Sequence, residues 1–195
     1  MTFFPAACTM QMKKKARCTQ MKAALLAFEG CSLWQMGQVN QSLTDAGIVI
    51  RTLTPGGNKI RLDGQQWLLA DSALEPSAAF DYTIVLVPGG RYTPTVAENP
   101  HAIRFLRQAD SHHAWILATG QGVGLLATAG LLGGLQVAID DECEQLYSYR
   151  LQNVQKSNQV LAVHGNILSA HAHAGASMAS WFYRHVLLND YLKKG

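Results

Sequence analysis

Residues 114–134 read AWILATGQGVGLLATAGLLGG. An apolar run stops at Ala118, a corner punctuated by Gly120, Gly122 and Gly124 follows, and an Ala- and Leu-rich helix leaves it. In α/β proteins a strand-turn-helix corner of this kind is a common seat for a nucleophile. Here the corner is Thr119-Gly120-Gln121-Gly122, with neither Cys nor Ser. The tip carries no side chain.

Outward from the corner, the segments alternate between strand and helix. KAALLAF (22–28) and YTIVLVPGG (82–90) are continuous apolar runs, as expected of parallel strands buried on both faces. Between them, Leu33, Met36, Val39, Leu43 and Ala46 recur at three- and four-residue steps and predict one helix, closed by Gly47. IVIRTLT (48–54) is β-branched and predicts a strand. Pro55 to Asn58 form a turn, and KIRL and QWLL around Asp63-Gly64 predict a small hairpin at the sheet edge.

Asn99-Pro100 opens a helix whose apolar stripe is Ile103, Leu106 and Ala109. LQVAIDD (135–141) is read as another strand, and QVLAVHGNILSAHAHAG (159–175) as a hairpin turning at Gly165-Asn166. A last helix, about 174–193, buries Met178, Phe182 and Val186. The expected fold is a three-layer α/β sandwich, with helices on both faces of a doubly wound, mostly parallel, flavodoxin-like sheet of about five strands.

The chain has 195 residues, enough for one domain with a substantial core. Only 15% of residues are charged, which suggests surface hidden in a homodimer. The net charge of +3 leans on Lys13, Lys14, Lys15 and Arg17, so the body gives no reason to expect direct nucleic-acid binding. Residues 1–20 place these charges after a short Pro-broken apolar patch, the reverse of a secretory signal. They are read as a disordered tail, with residues 21–195 as a single domain. No window approaches the ~18 apolar residues of a membrane span. Cys8, Cys18, Cys31 and Cys143 show no CxxC and no disulfide spacing, which suits a reducing cytoplasm.

Four segments, in this order, resemble the DJ-1/PfpI family within the class I glutamine amidotransferase-like superfamily. They are LLAFEGCSLWQMG (25–37), IVLVPGG (84–90), ILATGQGVGLLATAGLLGG (116–134) and ILSAHAHAGAS (167–177). The run from Ala129 to Gly134 is also similar to the corner helix of sensor domains joined to AraC-type regulators.

The resemblance implies a Cys at the corner tip, an acidic partner in the loop after the first strand, and often a His after the next strand. By the flanking glycines, Gly120 stands at the Cys position and Gln35 at the acidic one, with Asp140 near the His position. A corner Cys acts through its thiolate, steadied by a helix N-terminus and a partner acid or base. Glycine offers no atom to attack with, and a neutral Gln exchanges no proton near neutrality.

The resemblance also implies that backbone donors after Pro88, at Gly89 and Gly90, and at Gln121 face one pocket. With Arg91 beside them, and Gln35, His171 and His173 as walls, they suit a small polar or anionic ligand. That pocket is expected to be open, with Gly120 as its floor.

Competing readings are narrower. In register one residue off, Thr119 stands at the tip, but a Thr nucleophile needs a nearby base. Gly120, Gly122 and Gly124 give G-x-G-x-G on a late strand, which departs from the dinucleotide fingerprint. His171 and His173 point the same way on an extended segment, and with Asp140, Asp141 or Cys143 could hold a transition metal. Two imidazoles without a third ligand favour ordinary hydrogen bonding, so neither metal nor other cofactor is expected. His101, His112 and His113 read as solvated, Cys31 and Cys143 as small buried side chains, and Trp34 as packing or a stacking wall. The expectation is therefore a family member without the usual chemistry that binds a small molecule or regulates. The alternatives are an enzyme of altered chemistry, through Thr119, a His-bound metal or Cys31, and the sensor domain of a transcriptional regulator. For the last, the sequence ending YLKKG leaves no room for a helix-turn-helix.

Overall fold

The structure is a computed structural model that describes residues 21–91 and 97–192, with backbone alone at 191 and 192. The expected tail over 1–20 lies outside the described residues. The central sheet is built from β1 (Lys22–Leu26), β2 (Val49–Thr54), β5 (Ser72–Ala73), β6 (Ile84–Val87), β7 (Trp115–Thr119), β10 (Leu161–His164) and β11 (Ile167–Ala170). Its order is β10-β11-β7-β6-β1-β2-β5, and every pairing is parallel except β10 with β11.

Alternation along these strands makes the three layers. Ala24, Leu26, Val85, Val87, Ile116 and Ala118 face one side, where they meet Phe105 and Leu106 of α2 (Pro100–Ser111) and Leu125 and Leu126 of α3 (Gly122–Thr128). Ala23, Leu25, Ile84, Leu86, Leu117 and Leu168 face the other. There they meet Val39 and Leu43 of α1 (Gly37–Asp45) and Met178 and Phe182 of α5 (Gly175–Phe182). Both faces of the sheet are buried, which is why its strands read as unbroken apolar runs.

The termini of the helices follow the sequence signals. Asn99 caps α2 by accepting from the His101 and Ala102 N–H groups, with Pro100 at the first helical position. A 3-10 turn (Leu33–Met36) leads into α1. After α5 the chain passes through a π-helical turn (Tyr183–Leu187) into α6 (Leu188–Leu192), and Met178, Phe182 and Val186 are buried as expected. The hairpin at Gly165-Asn166 forms β10 and β11, its turn held where the Asn166 amide donates to the Ala114 carbonyl at 2.8 Å.

Three expectations are corrected. The central sheet has seven strands rather than about five. The KIRL/QWLL hairpin forms, as β3 (Ile60–Arg61) and β4 (Trp67–Leu68), but as a separate two-stranded sheet. It is pinned to the loop after β1 by Arg61 N–H donating to Glu29 at 3.0 Å and Gly30 N–H donating to the Arg61 carbonyl at 2.7 Å. The run LQVAIDD contributes only β8 (Gln136–Val137), paired with β9 (Gln155–Lys156) in another small sheet. Its Asp140 is instead the N-cap of α4 (Asp141–Tyr147), accepting from the Cys143 N–H at 3.0 Å. A capping carboxylate with Asp141, Glu142 and Glu144 in the first turn favours helix over strand there.

Candidate functional site at the strand–helix corner

Gly120 directly follows β7 at the C-terminal edge of the sheet. Its N–H donates to the Ala170 carbonyl at 2.9 Å, so the β7–β11 ladder runs up to the corner. Its φ of +50° is a left-handed conformation that glycine adopts without the β-carbon penalty. The next two glycines solve a different problem. A β-carbon on Gly122 would collide with the Val87 carbonyl, and one on Gly124 would enter the Tyr147 ring. The G-x-G-x-G spacing is therefore met by close packing of α3 on β6 and α4.

Three segments converge on Gly120. A β-carbon there would stand 3.1 Å from Gln35 Oε1, 3.3 Å from Ala172 Cβ and 3.5 Å from Asp140 Oδ2. The 3-10 turn after β1 thus delivers Gln35, the segment after β11 delivers Ala172, and the cap of α4 delivers Asp140. The two sides differ chemically. Gln35 is 6% exposed, and its Oε1 accepts from the Gly89 N–H at 3.1 Å and the Thr119 hydroxyl at 2.9 Å. The Gly89 N–H also lies 3.3 Å from Thr119 Oγ1, closing a buried triangle. Opposite, the Asp140 carboxylate accepts from Cys143 N–H through one oxygen and from Ala172 N–H, at 3.2 Å, through the other.

The expected open pocket with Gly120 as its floor is corrected by this geometry. Gly120, Gly89, Gly90, Gln35 and Gln121 are all buried. A β-carbon at Gly120 would already be in close contact with Gln35, Ala172 and Asp140. The Gly89 N–H, expected to face a ligand, is engaged by Gln35. Gly90 pairs with Cys31 in an isolated bridge, and the Arg91 N–H donates to the Gly30 carbonyl at 2.8 Å, while the Arg91 residue itself is exposed.

Thr119 is completely buried, and its hydroxyl donates to a neutral amide oxygen that cannot take its proton. Gln121 donates through Nε2 to Glu142 at 2.9 Å. Among the described residues its Oε1 and His171 Nε2 are buried without a hydrogen-bond partner. His171 and His173 follow β11 to the rim, their ring centroids 5.7 Å apart, with His173 the more exposed. Among the described residues no three His, Cys, Asp or Glu side chains gather as a metal site. His112, expected to be solvated, is half-buried, its Nδ1 lying 2.7 Å from the Gln108 carbonyl and its Nε2 3.0 Å from that of Tyr82.

Burial disfavours the thiolate of both cysteines near the corner. Burial pushes the Cys31 thiol up to about 11, and burial together with the Asp140 charge pushes Cys143 up to about 12. Both are unpaired and buried. Trp34, the neighbour of Gln35, is 63% exposed and so is not a core packing residue. Thr119, Ala172 and Glu142 were missed as partners by sequence reasoning. The capping pattern of Asp140 was the one local signal that could have placed α4.

A family model described as DJ-1/PfpI family matches residues 21–180. The chain belongs to the DJ-1/PfpI family. Schizosaccharomyces pombe DJ-1 superposes with a TM-score of 0.74 at 14% identity, over 89% of this chain and 98% of that one. Drosophila melanogaster DJ-1beta gives 0.72 at 18% identity, over 90% and 97%. A two-domain protein from Anabaena variabilis, containing DJ-1/ThiJ/PfpI-like and ferritin-like domains, gives 0.72 at 20% identity. That match covers 83% of this chain and 49% of the Anabaena protein, so this chain spans about half its length. No curated protein matches the sequence. Among the described residues no helix is long and apolar enough to cross a membrane.

Proposed function

We propose that this DJ-1/PfpI-family protein has set aside thiol chemistry and acts as a small-molecule-binding or regulatory protein. The observation that carries the reading is the convergence of Gln35 and Asp140 on a glycine. The positions that the family resemblance assigns to nucleophile, acid and base hold no nucleophilic atom, a neutral amide, and a carboxylate tied up as a helix cap. Thr119, the one hydroxyl at the tip, has an amide for a partner and no base. Cys31 and Cys143 stay protonated near neutral pH, and as buried free thiols they fit a reducing, cytoplasmic setting.

The ligand reading moves outward from the tip to the rim. Arg91, Gln121, His171 and His173 remain the candidates there, with Gln35, Gly89 and Gly90 forming the backing behind them. Asp140 and Glu142 put negative charge beside the corner, which favours a small neutral polar ligand with donors of its own over an anion.

The test is a panel of methylglyoxal, amide and peptide substrates, run on the wild-type chain and on Thr119→Ala. The expected result is no turnover by either. Turnover by the wild type that disappears in Thr119→Ala would establish the altered-enzyme alternative instead. A thermal-shift screen of small polar metabolites, repeated on His173→Ala and Arg91→Ala, locates the ligand at the rim if these substitutions remove the shift.

A further inference from the structure

Beside β10, at the edge of the central sheet, runs a depression of about 510 Å³. It is separate from the glycine corner, because β11 stands between β10 and β7. Its volume falls in the range of small-molecule sites, about 300–1,000 Å³.

The sheet edge supplies the floor. The His171 N–H donates to the Val160 carbonyl at 2.9 Å, which makes residues 160 and 171 a hydrogen-bonded pair. Bonded and non-bonded pairs alternate along antiparallel strands, so Ala162 and Ser169 form the next bonded pair. The backbone groups of Leu161 and Val163 then point away from β11, where no other strand takes them. Two N–H groups and two carbonyls, in sets about 7 Å apart, are left open.

The two walls differ. On the side of α1 and α5 stands Trp181, stacked on His185 with ring centroids 4.4 Å apart and met edge-on by Trp115 at 6.1 Å. The indole is thus held in place before any ligand arrives, which lowers the ordering cost of binding. The other wall is Gln136 of β8 with Ser157, Asn158 and Gln159 after β9. Its backbone is fixed where the Ser157 N–H donates to the Val137 carbonyl at 2.8 Å and the Gln159 N–H to the Ser157 hydroxyl at 3.1 Å. Among the described residues the side-chain amides of Gln136, Asn158 and Gln159 have no hydrogen-bond partner within the protein, so each offers both donors and an acceptor.

We propose that this depression binds a neutral polyhydroxylated molecule of one or two sugar rings. A hydroxyl both donates and accepts, and so do the three amides and the open backbone of Leu161 and Val163. The C–H face of a sugar ring has an apolar counterpart in the Trp181 indole. No Lys, Arg, Asp or Glu lines the depression, so a charged ligand would lose water there without gaining a counter-charge. An added peptide strand fits less well, because it needs a longer open row than two residues between walls.

Saturation-transfer NMR and calorimetry on the whole chain test this, with glucose, galactose, maltose and cellobiose as probes and an uncharged Thr-Val-Thr-Val peptide beside them. The variants are Trp181→Ala and the double substitution Asn158→Ala/Gln159→Ala, with Trp67→Ala, an exposed Trp on β4, as control. The expected result is saturable binding of at least one sugar that shifts the 161 and 163 amide resonances. Both site variants should weaken it tenfold or more, and Trp67→Ala should leave it unchanged. No saturable sugar binding up to about 50 mM overturns the proposal, as does binding of the peptide in place of the sugars. Should Trp181→Ala fail to fold, the double variant decides, since Asn158 and Gln159 are both exposed. Sugar binding that the double variant retains in full overturns the proposal.

Discussion

The two sides of Gly120 both come within 3.5 Å of where its β-carbon would stand, and they are chemically unlike. On one, Gln35 presents an oxygen held by two donors, neutral and buried. On the other, Asp140 presents a carboxylate oxygen that also ties the start of α4 to the segment after β11. The first is a closed polar triangle inside the sheet edge, and the second is a charged tether between loops. Proximity to the corner alone thus does not define a role. What each group is bonded to decides whether it stabilises the fold or shapes the chemistry above the glycine.

The largest expected effect comes from breaking the neutral side. Gln35→Leu leaves the Thr119 hydroxyl without its acceptor and the Gly89 N–H with only the longer 3.3 Å contact to Thr119 Oγ1, both in a buried setting. A cost of about 3 kcal/mol is expected, read as a lowered urea midpoint with an unchanged slope. Gln35→Glu keeps the acceptor oxygen and should lose far less. If Gln35→Leu were as stable as the wild type, the triangle would not be a stabilising unit.

A smaller effect is expected at the glycine. Gly120→Ala fits between Gln35, Ala172 and Asp140 with slight adjustment, but it must hold φ near +50°. The expected cost is about 1–2 kcal/mol. The same site sharpens the comparison chemically. The thiol of Gly120→Cys would lie between a neutral amide and the Asp140 carboxylate, and a neighbouring negative charge opposes thiolate formation. Iodoacetamide should therefore label Gly120→Cys slowly near neutral pH, and label Gly120→Cys/Asp140→His faster. Equal rates would show that the Asp140 charge does not reach the tip.

Breaking the charged side should cost least of the three. Asp140→Ala removes a helix cap and the acceptor of Ala172 N–H, for a loss of about 1 kcal/mol. Asp140→Asn retains one acceptor and should fall between the wild type and Asp140→Ala in thermal unfolding.

The legibility of the molecule follows the same division. The parallel strands were readable because both faces are buried, which leaves a continuous apolar signature at 22–28, 84–87 and 114–118. Gly120 was readable through its neighbours, since Gly122 and the Ala129-Gly130 pair fix the register of the corner. The fate of residues 135–141 was not, because an apolar run does not say that its Asp140 will cap a helix and turn the chain out of the sheet. Nor was the closure of the pocket readable. It depends on Thr119 and Gly89, which are remote from Gln35 in sequence and meet it only through strand order.

The smallest expected signal belongs to the thiols flanking these two sides. Cys31 lies beside the loop that carries Gln35, and Cys143 gives its N–H to Asp140. Burial is the leading cause that raises Cys31 to about 11 and Cys143 to about 12, from an ordinary value of 9.0. The folded chain thus holds both protons at a pH where the unfolded chain releases them. By linkage this contribution to stability is fully present below pH 9 and is lost as pH rises toward 11 for Cys31 and 12 for Cys143. Urea midpoints should therefore be insensitive to Cys31→Ser or Cys143→Ser pH by pH, apart from a constant packing offset, until the solution passes pH 9. Above it the wild type should lose stability more steeply than either variant. Iodoacetamide should leave both thiols unlabelled at neutral pH until urea is added. Rapid native labelling of Cys31 would mean that the loop bearing Gln35 opens readily, and that the neutral side of the corner is less firmly closed than its hydrogen bonds imply.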